Sequence, residues 1–299
     1  MSLAHFKKQK KAFATIATIP QTFGINKWNT KKLITLNLIE LINKYNSLGI
    51  NLTIDFEKFN HISLIHHSTK LEGSNLTESE TQVLILNGLT PKGKPLQDSL
   101  MVTDHEAALK FIINAAQEKK PITIEFIQQI NALVVKNTAK IYHTVLGEID
   151  ASIGAFRKGN VSAGVSYFPN YDKVVKLVLE LVVNINEAMN KDLSLIEKIN
   201  LSFAAHFNLV GIHSFYDGNG RTSRLLMNYI QAIFHLPFAI VHNESKVEYI
   251  NALVESRESN NIDLFYSFMT QEYSQLLTSE ITKFEALNNK STTKFNLLF

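Results

Sequence analysis

Apolar residues recur three and four positions apart along most of the chain, a spacing that predicts helix after helix. Leu33, Leu36, Ile39, Leu41, Ile42 and Tyr45 follow that spacing, with Asn29 or Thr30 placed to cap the segment. A second helix is expected from Asp55, carrying Phe56, Phe59, Ile62 and Ile65 on one stripe and stopping near Gly73. Thr77 followed by Glu80 has the spacing of a capping box and opens a short helix to about Leu86. Further helices are expected near 100–117, 123–136, 171–189, 195–210, 221–234, 245–256 and 262–287.

Two interruptions organise this series. Gly88, Pro91, Gly93 and Pro95 make 87–98 the clearest loop, dividing an N-terminal helical region, 1–98, from a core, 99–299. Gly154, Gly159, Gly164 and Pro169, with Val161, Val165, Tyr167 and Phe168 between them, predict a short β-hairpin or extended flap near 159–169. The 195–210 and 221–234 segments are apolar on most faces, which predicts two buried central helices joined by one polar loop. The fold class is all-α, a helical bundle around those two helices with a small hairpin.

Composition narrows the function. With 299 residues and 45% hydrophobic content, the chain can build a sizeable core without staples. It has no cysteine, which excludes disulfides and thiolate metal sites and fits a cytoplasmic protein. A net charge of +3 gives no reason to expect a nucleic acid as partner. Lys7, Lys8, Lys10 and Lys11 read as a solvated arm, and the apolar stretch 12–19 is too short and too rich in Ala and Thr for a secretory signal. No stretch is long and apolar enough to span a bilayer, so no membrane partner is expected. His61, His66 and His67 lack a cysteine or a suitable acidic pair and are not read as a zinc site.

The chemistry concentrates in the loop between the central helices, which reads His213-Ser214-Phe215-Tyr216-Asp217-Gly218-Asn219-Gly220-Arg221-Thr222-Ser223-Arg224. A glycine-rich turn that opens a helix presents unpaired N–H groups and the positive end of the dipole, which together attract an anion. Arg221 and Arg224 in the first turn are unfavourable for a bare helix, by a few tenths to about 1 kcal/mol each. A bound polyphosphate reverses that sign, and the guanidinium fork suits phosphate oxygens. Asp217 beside such a cradle fits magnesium, which takes one or two carboxylates together with phosphate oxygens. His213 stands where a neutral imidazole could take a proton from an incoming hydroxyl. Asp-Gly and Asn-Gly also mark hairpin turns, but the flanks here are helical rather than alternating.

These twelve residues resemble the Fic (Fido) signature His-x-Phe-x-Asp/Glu-Gly-Asn-Gly-Arg-x-x-Arg at every fixed position, with Ser214 where many members have Pro. The resemblance extends to Gly154, Phe156, Arg157 and the 159–169 flap, to His206, and to Tyr249 on the helix that lines the family's adenine pocket. It departs at Arg257, where relatives often have Asn. What it implies is transfer of AMP from ATP to a hydroxyl of a target protein, with loss of pyrophosphate. His213 would be the general base and Asp217 the magnesium ligand. Gly218, Asn219, Gly220, Thr222 and Ser223 would line the nucleotide site, with Arg221 and Arg224 on the outer phosphates. Phe215 would anchor the loop, and Tyr216 is read as a rim aromatic. Ala163, Gly164, Val165 and Ser166 of the flap would pair with an extended target segment. The resemblance is compatible with a homodimer.

A second stretch, Ser68-Thr69-Lys70-Leu71-Glu72-Gly73, is similar to the family's inhibitory pattern Ser/Thr-x-x-x-Glu-Gly/Asn, in the class with an N-terminal inhibitory helix, here near 55–73. The implied role of Glu72 is to pair with Arg224 and block the productive γ-phosphate position. A carboxylate is disfavoured at a helix C-terminus, so a dedicated partner is expected from the residues alone. Two rival functions stay open: removal of AMP from a modified protein, and nucleotide sensing without turnover.

Overall fold

The two most apolar stretches become the centre of the molecule. The computed structural model describes residues 28–144, 147–163 and 166–295; the N-terminal lysine cluster, the 12–19 stretch, Gly164 and Val165 lie outside them. The first central helix, α7 (Leu195–Ile212), opens on a Ser194–Glu197 capping box and buries twelve side chains. The second, α8 (Asn219–Ile233), is buried from Arg221 through Gln231. Its start lies two residues before the expected Arg221, because Gly218 takes a left-handed conformation (φ 76°) and serves as N-cap.

The other elements wrap this pair. α1 (Trp28–Ser47) lies against the long C-terminal helix α10 (Asp263–Phe295) and touches α7. α2 (Ile54–Leu71), α3 (Glu78–Asn87), α4 (Leu96–Gln117) and α5 (Ile124–Val134) follow, with α2, α4 and α5 all contacting α8. α6 (Val174–Met189) covers α7, and α9 (Lys246–Ser259) packs on α10. No helix among the described residues is long and apolar enough to cross a membrane.

Several expectations change in detail. α1 begins at Trp28, so Asn29 and Thr30 lie inside it, and its seam is Leu38, Ile42 and Tyr45 while Leu36 is exposed. α2 begins at Ile54 with Thr53 as N-cap, one residue before Asp55. Its Phe59 is exposed, and its last turns instead bury His66, His67, Ser68 and Thr69, because this end of the helix is inserted into the core. The expected hairpin is present as β3 (Ser162–Ala163) paired with β4 (Ser166–Tyr167). A second hairpin, β1 (Ile141–Thr144) with β2 (Gly147–Asp150), precedes it. It has little apolar alternation, and only Ile149 of the two strands is buried, so its pattern gives no warning. The Thr77–Glu80 capping box forms as expected.

Burial sets the mutational contrast. Leu226 on α8 is fully buried and Leu179 on α6 is half exposed. Leu226→Ala is expected to destabilise by about 2–5 kcal/mol, and Leu179→Ala by no more than about 0.5 kcal/mol, as read from urea unfolding.

Candidate active site

α7 ends in a residue that is not built for ending helices. His213 holds a left-handed conformation, φ 53° and ψ 59°, with its N–H on the Leu209 carbonyl at 3.2 Å. An L-residue there costs on the order of 1–2 kcal/mol, so the surroundings must hold it. Phe168 of the flap stacks on its ring with centroids 3.9 Å apart and planes 15° from parallel. Burial lowers the basicity of the imidazole to about 4, aided by the Arg157 and Arg257 cations and opposed by Glu72 and the Val210 carbonyl. His213 is therefore neutral near pH 7, the form a general base requires.

The loop that follows is tied to itself and to α5. Asn219 accepts from the Phe215 N–H and donates to the Phe215 carbonyl, both at 2.9 Å, so its side-chain amide is engaged in shaping the turn. Phe215 is buried against Phe156. Tyr216 stacks on Tyr142 of β1, centroids 4.4 Å apart. Asn131 of α5 donates to the Asp217 carbonyl at 2.9 Å and to Thr222 Oγ1 at 3.1 Å. A side chain at Gly218 would press on Asn131, Val134 and Val135 and would also suffer the positive φ. Ser223 donates to the Asn219 carbonyl at 2.6 Å. Sequence reasoning missed Asn131, although it is the polar member of the otherwise apolar buried stripe Phe126, Ile127, Ile130 and Val134.

The arginines divide their work. Arg221 is buried and donates to the Val134 carbonyl at 3.0 Å and to Asp217 Oδ1 at 3.4 Å. Arg224 is equally buried but points to α2: its Nε donates to Ser68 Oγ and its Nη2 to the Ser68 carbonyl, each at 2.9 Å. The same Nη2 pairs with Glu72 Oε1 at 2.7 Å. Burial pushes the Glu72 carboxyl up, but Arg224 and Arg221 outweigh it and hold it below the ordinary carboxylate range.

Glu72 occupies the position an anion would take. Its carboxylate lies directly over Gly220 at the N-terminus of α8, where a methyl group on that residue would collide with it. The local sequence explains the placement. Gly73 (φ 104°) closes α2 with a Schellman motif, its N–H on the Lys70 carbonyl at 3.0 Å and the Ser74 N–H on the Thr69 carbonyl at 3.2 Å. That motif leaves Glu72 as the C-cap residue. Lys246, the first residue of α9, donates to the Leu71 carbonyl at 2.6 Å and adds a cation at the same helix end. The carboxylate is disfavoured by its own helix and favoured by the next one.

The remaining candidates fall into place around this contact. Tyr249 is buried with its hydroxyl 2.8 Å from His206 Nε2, and Arg257 stands on the same helix beside Gly211. Asp217 is half exposed, and among the described residues its side-chain hydrogen bonds, from the Gly218 N–H at 2.6 Å and from Arg221, fall on Oδ1. Oδ2 can thus face a cation, and a single half-exposed carboxylate beside a phosphate-type cradle fits magnesium. His66 faces Thr81 and His67 contacts Asn243, so both belong to the packing of α2. In the flap, Ser162 pairs with Tyr167 and Ala163 with Ser166.

Residues 121–231 match the model of the Fic/DOC family. The chain carries a Fic/DOC domain. Proteins named protein adenylyltransferase Fic from Drosophila erecta and Drosophila melanogaster are 28% identical to it over 197 residues, which is 66% of this chain. The chain spans 37% of the length of these curated relatives. Among solved structures, a Fic domain-containing signaling protein from Bacteroides thetaiotaomicron superposes with a TM-score of 0.70 at 24% identity, covering 84% of this chain and 97% of that one. Fic-1 from C. elegans superposes with a TM-score of 0.67 at 22% identity, covering 86% and 74%. The all-α bundle with its hairpin is the Fic fold. The family match spans α5 through most of α8, so it contains His213 and both arginines but not Glu72 or Tyr249.

Two outcomes check this geometry. In a histidine-ring NMR titration His213 is expected to protonate near about 4, well below an ordinary imidazole. Gly218→Ala is expected to lower stability by about 1–3 kcal/mol in urea unfolding, from strained backbone and contact with α5.

Proposed function

We propose that this protein is a protein adenylyltransferase that transfers AMP from ATP to a hydroxyl of a target protein and to itself, and that Glu72 holds it inactive. The observation that carries the reading is the Glu72 carboxylate lodged over Gly220 and paired with Arg224, one loop away from the neutral imidazole of His213. A buried cradle that places a carboxylate on a helix N-terminus between two arginines is a site for anionic oxygen. The Drosophila relatives' name and the Fic/DOC match of the motif support adenylyl transfer as its use.

In this reading residues 99–299 are the catalytic core and 1–98 the regulatory region. The phosphates lie along the N-terminus of α8, on the backbone of Gly218, Asn219 and Gly220, with Thr222 and Ser223 buried behind them. Arg221 stiffens the turn through Val134 and Asp217, while Arg224 meets the outer phosphates once Glu72 withdraws. Tyr249 borders the adenine side. The flap, through Ala163 and Ser166, offers its strand edge to an extended target segment. Asp217 would hold magnesium, which would supply charge neutralisation on the phosphate oxygens.

The reaction then follows from position. The target hydroxyl oxygen attacks the α-phosphorus as His213 takes its proton. A new P–O bond forms, the bond between the α-phosphorus and the α,β-bridging oxygen breaks, and pyrophosphate leaves. Most of the rate comes from alignment and charge stabilisation. A cytoplasmic location fits a chain that uses no cysteine.

Intact-protein mass after incubation with ATP and magnesium tests the proposal. Glu72→Gly is expected to gain AMP units at least about tenfold faster than wild type, matching an effect of roughly 1.4 kcal/mol or more. His213→Ala in the Glu72→Gly background is expected to lose transfer by about 10²–10⁴ while still binding ATP. No AMP gain in Glu72→Gly, together with AMP removal from a pre-adenylylated protein by wild type, would overturn the forward direction.

A further inference from the structure

We infer that Arg157 is a positioning residue that locks the two roots of the flap and the backbone of His213 into one rigid unit, so that a target strand laid on the flap arrives in register with the imidazole. The inference rests on the adenylyl-transfer reading for its purpose, but its geometry stands apart from it.

Arg157 is 2% exposed, and each of its three guanidinium nitrogens donates to a main-chain carbonyl. Nε donates to His213 O at 2.7 Å, Nη1 to Gly159 O at 2.7 Å, and Nη2 to Pro169 O. Its own N–H donates to Ser214 O at 3.0 Å. These acceptors belong to three separate places: the end of α7, the entry to the flap and the exit from it. Among the described residues no carboxylate pairs with this cation. A buried charge held only by neutral carbonyls is a costly way to stabilise a fold, whereas a planar fork with fixed donor directions is well suited to setting three backbone segments relative to one another.

The flap also touches the base directly. Phe168, the residue before Pro169, lies flat on the His213 ring. Holding the Pro169 carbonyl therefore holds the ring's cover, and holding the His213 carbonyl holds the left-handed backbone from which the ring projects. The Arg157 cation also disfavours protonation of His213, second only to burial. Arg157 thus affects both where the imidazole stands and whether it is neutral.

The test compares Arg157→Lys and Arg157→Gln in the Glu72→Gly background, with Tm and circular dichroism to show that each is folded. In Arg157→Gln the His213 titration midpoint, followed by histidine-ring NMR, is expected to rise by roughly half a pH unit or more. In Arg157→Lys, which keeps the charge, the midpoint is expected to stay low. Both variants should exchange the Gly159, Asn160 and Phe168 amides at least about tenfold faster, since neither can span three carbonyls. Self-adenylylation should fall by about 100-fold in kcat with KM for ATP nearly unchanged. Unchanged flap exchange and an unchanged His213 midpoint in folded variants would overturn the inference. If Arg157→Gln does not fold, flap exchange in Arg157→Lys decides alone. If the Glu72→Gly parent transfers no AMP, the proposed function fails, while exchange and titration still decide the role of Arg157.

Discussion

A helix N-terminus buried in protein has unpaired N–H groups and partial positive charge, and it needs an anion or a substitute for one. Here that end belongs to α8, and two buried arginines in its first two turns, Arg221 and Arg224, deepen the demand. The Glu72 carboxylate meets it, and much of the molecule is arranged to deliver that group. Gly73 stops α2 at the right residue, Ser68 offers both its hydroxyl and its carbonyl to Arg224, and Lys246 holds the last turn of α2. A carboxylate that is unfavourable on its own helix becomes favourable on the next, so the contact has a built-in reason to exist.

The candidate site residues sit on a loop whose flanking helices are buried. α7 and α8 are buried nearly all round, and the turn between them is pinned from inside by Asn219 and from α5 by Asn131. His213 pays for its position with a backbone conformation that an L-residue avoids, and it does so beside Phe168 and Arg157, which brace it from the flap side. Strain at one residue surrounded by over-determined neighbours is the expected pattern at a reactive site.

The family match and the Glu72–Arg224 contact come from different parts of the chain. The Fic/DOC stretch, 121–231, carries His213, the glycines and the arginines. Glu72 and Tyr249 lie outside it, before and after. The carboxylate that fills the anion site is therefore contributed by a region the domain match does not describe, and its role is read from where α2 ends rather than from the motif around His213.

Much of the site was legible in the residues. His213, Asp217, the glycines and the arginines stand within twelve positions, and residue type and spacing there point to an anion pole with a candidate base beside it. The all-helical pattern was legible too, since the periodicity of α7 and α8 marks burial on every face. The Glu72-Gly73 pair announced a helix end with a misplaced charge. What the sequence could not determine is anything that depends on which distant segments meet. Nothing local says that Asn131 props the Asp217 carbonyl or that Arg157 joins three backbone segments. Nor does anything local say that Arg221 turns inward to Val134 while Arg224 turns to α2. Local periodicity records how each helix divides its faces between core and solvent, whereas the partner on each buried face is chosen by packing across sequence separations of tens to more than a hundred residues, and only the tertiary structure makes that choice.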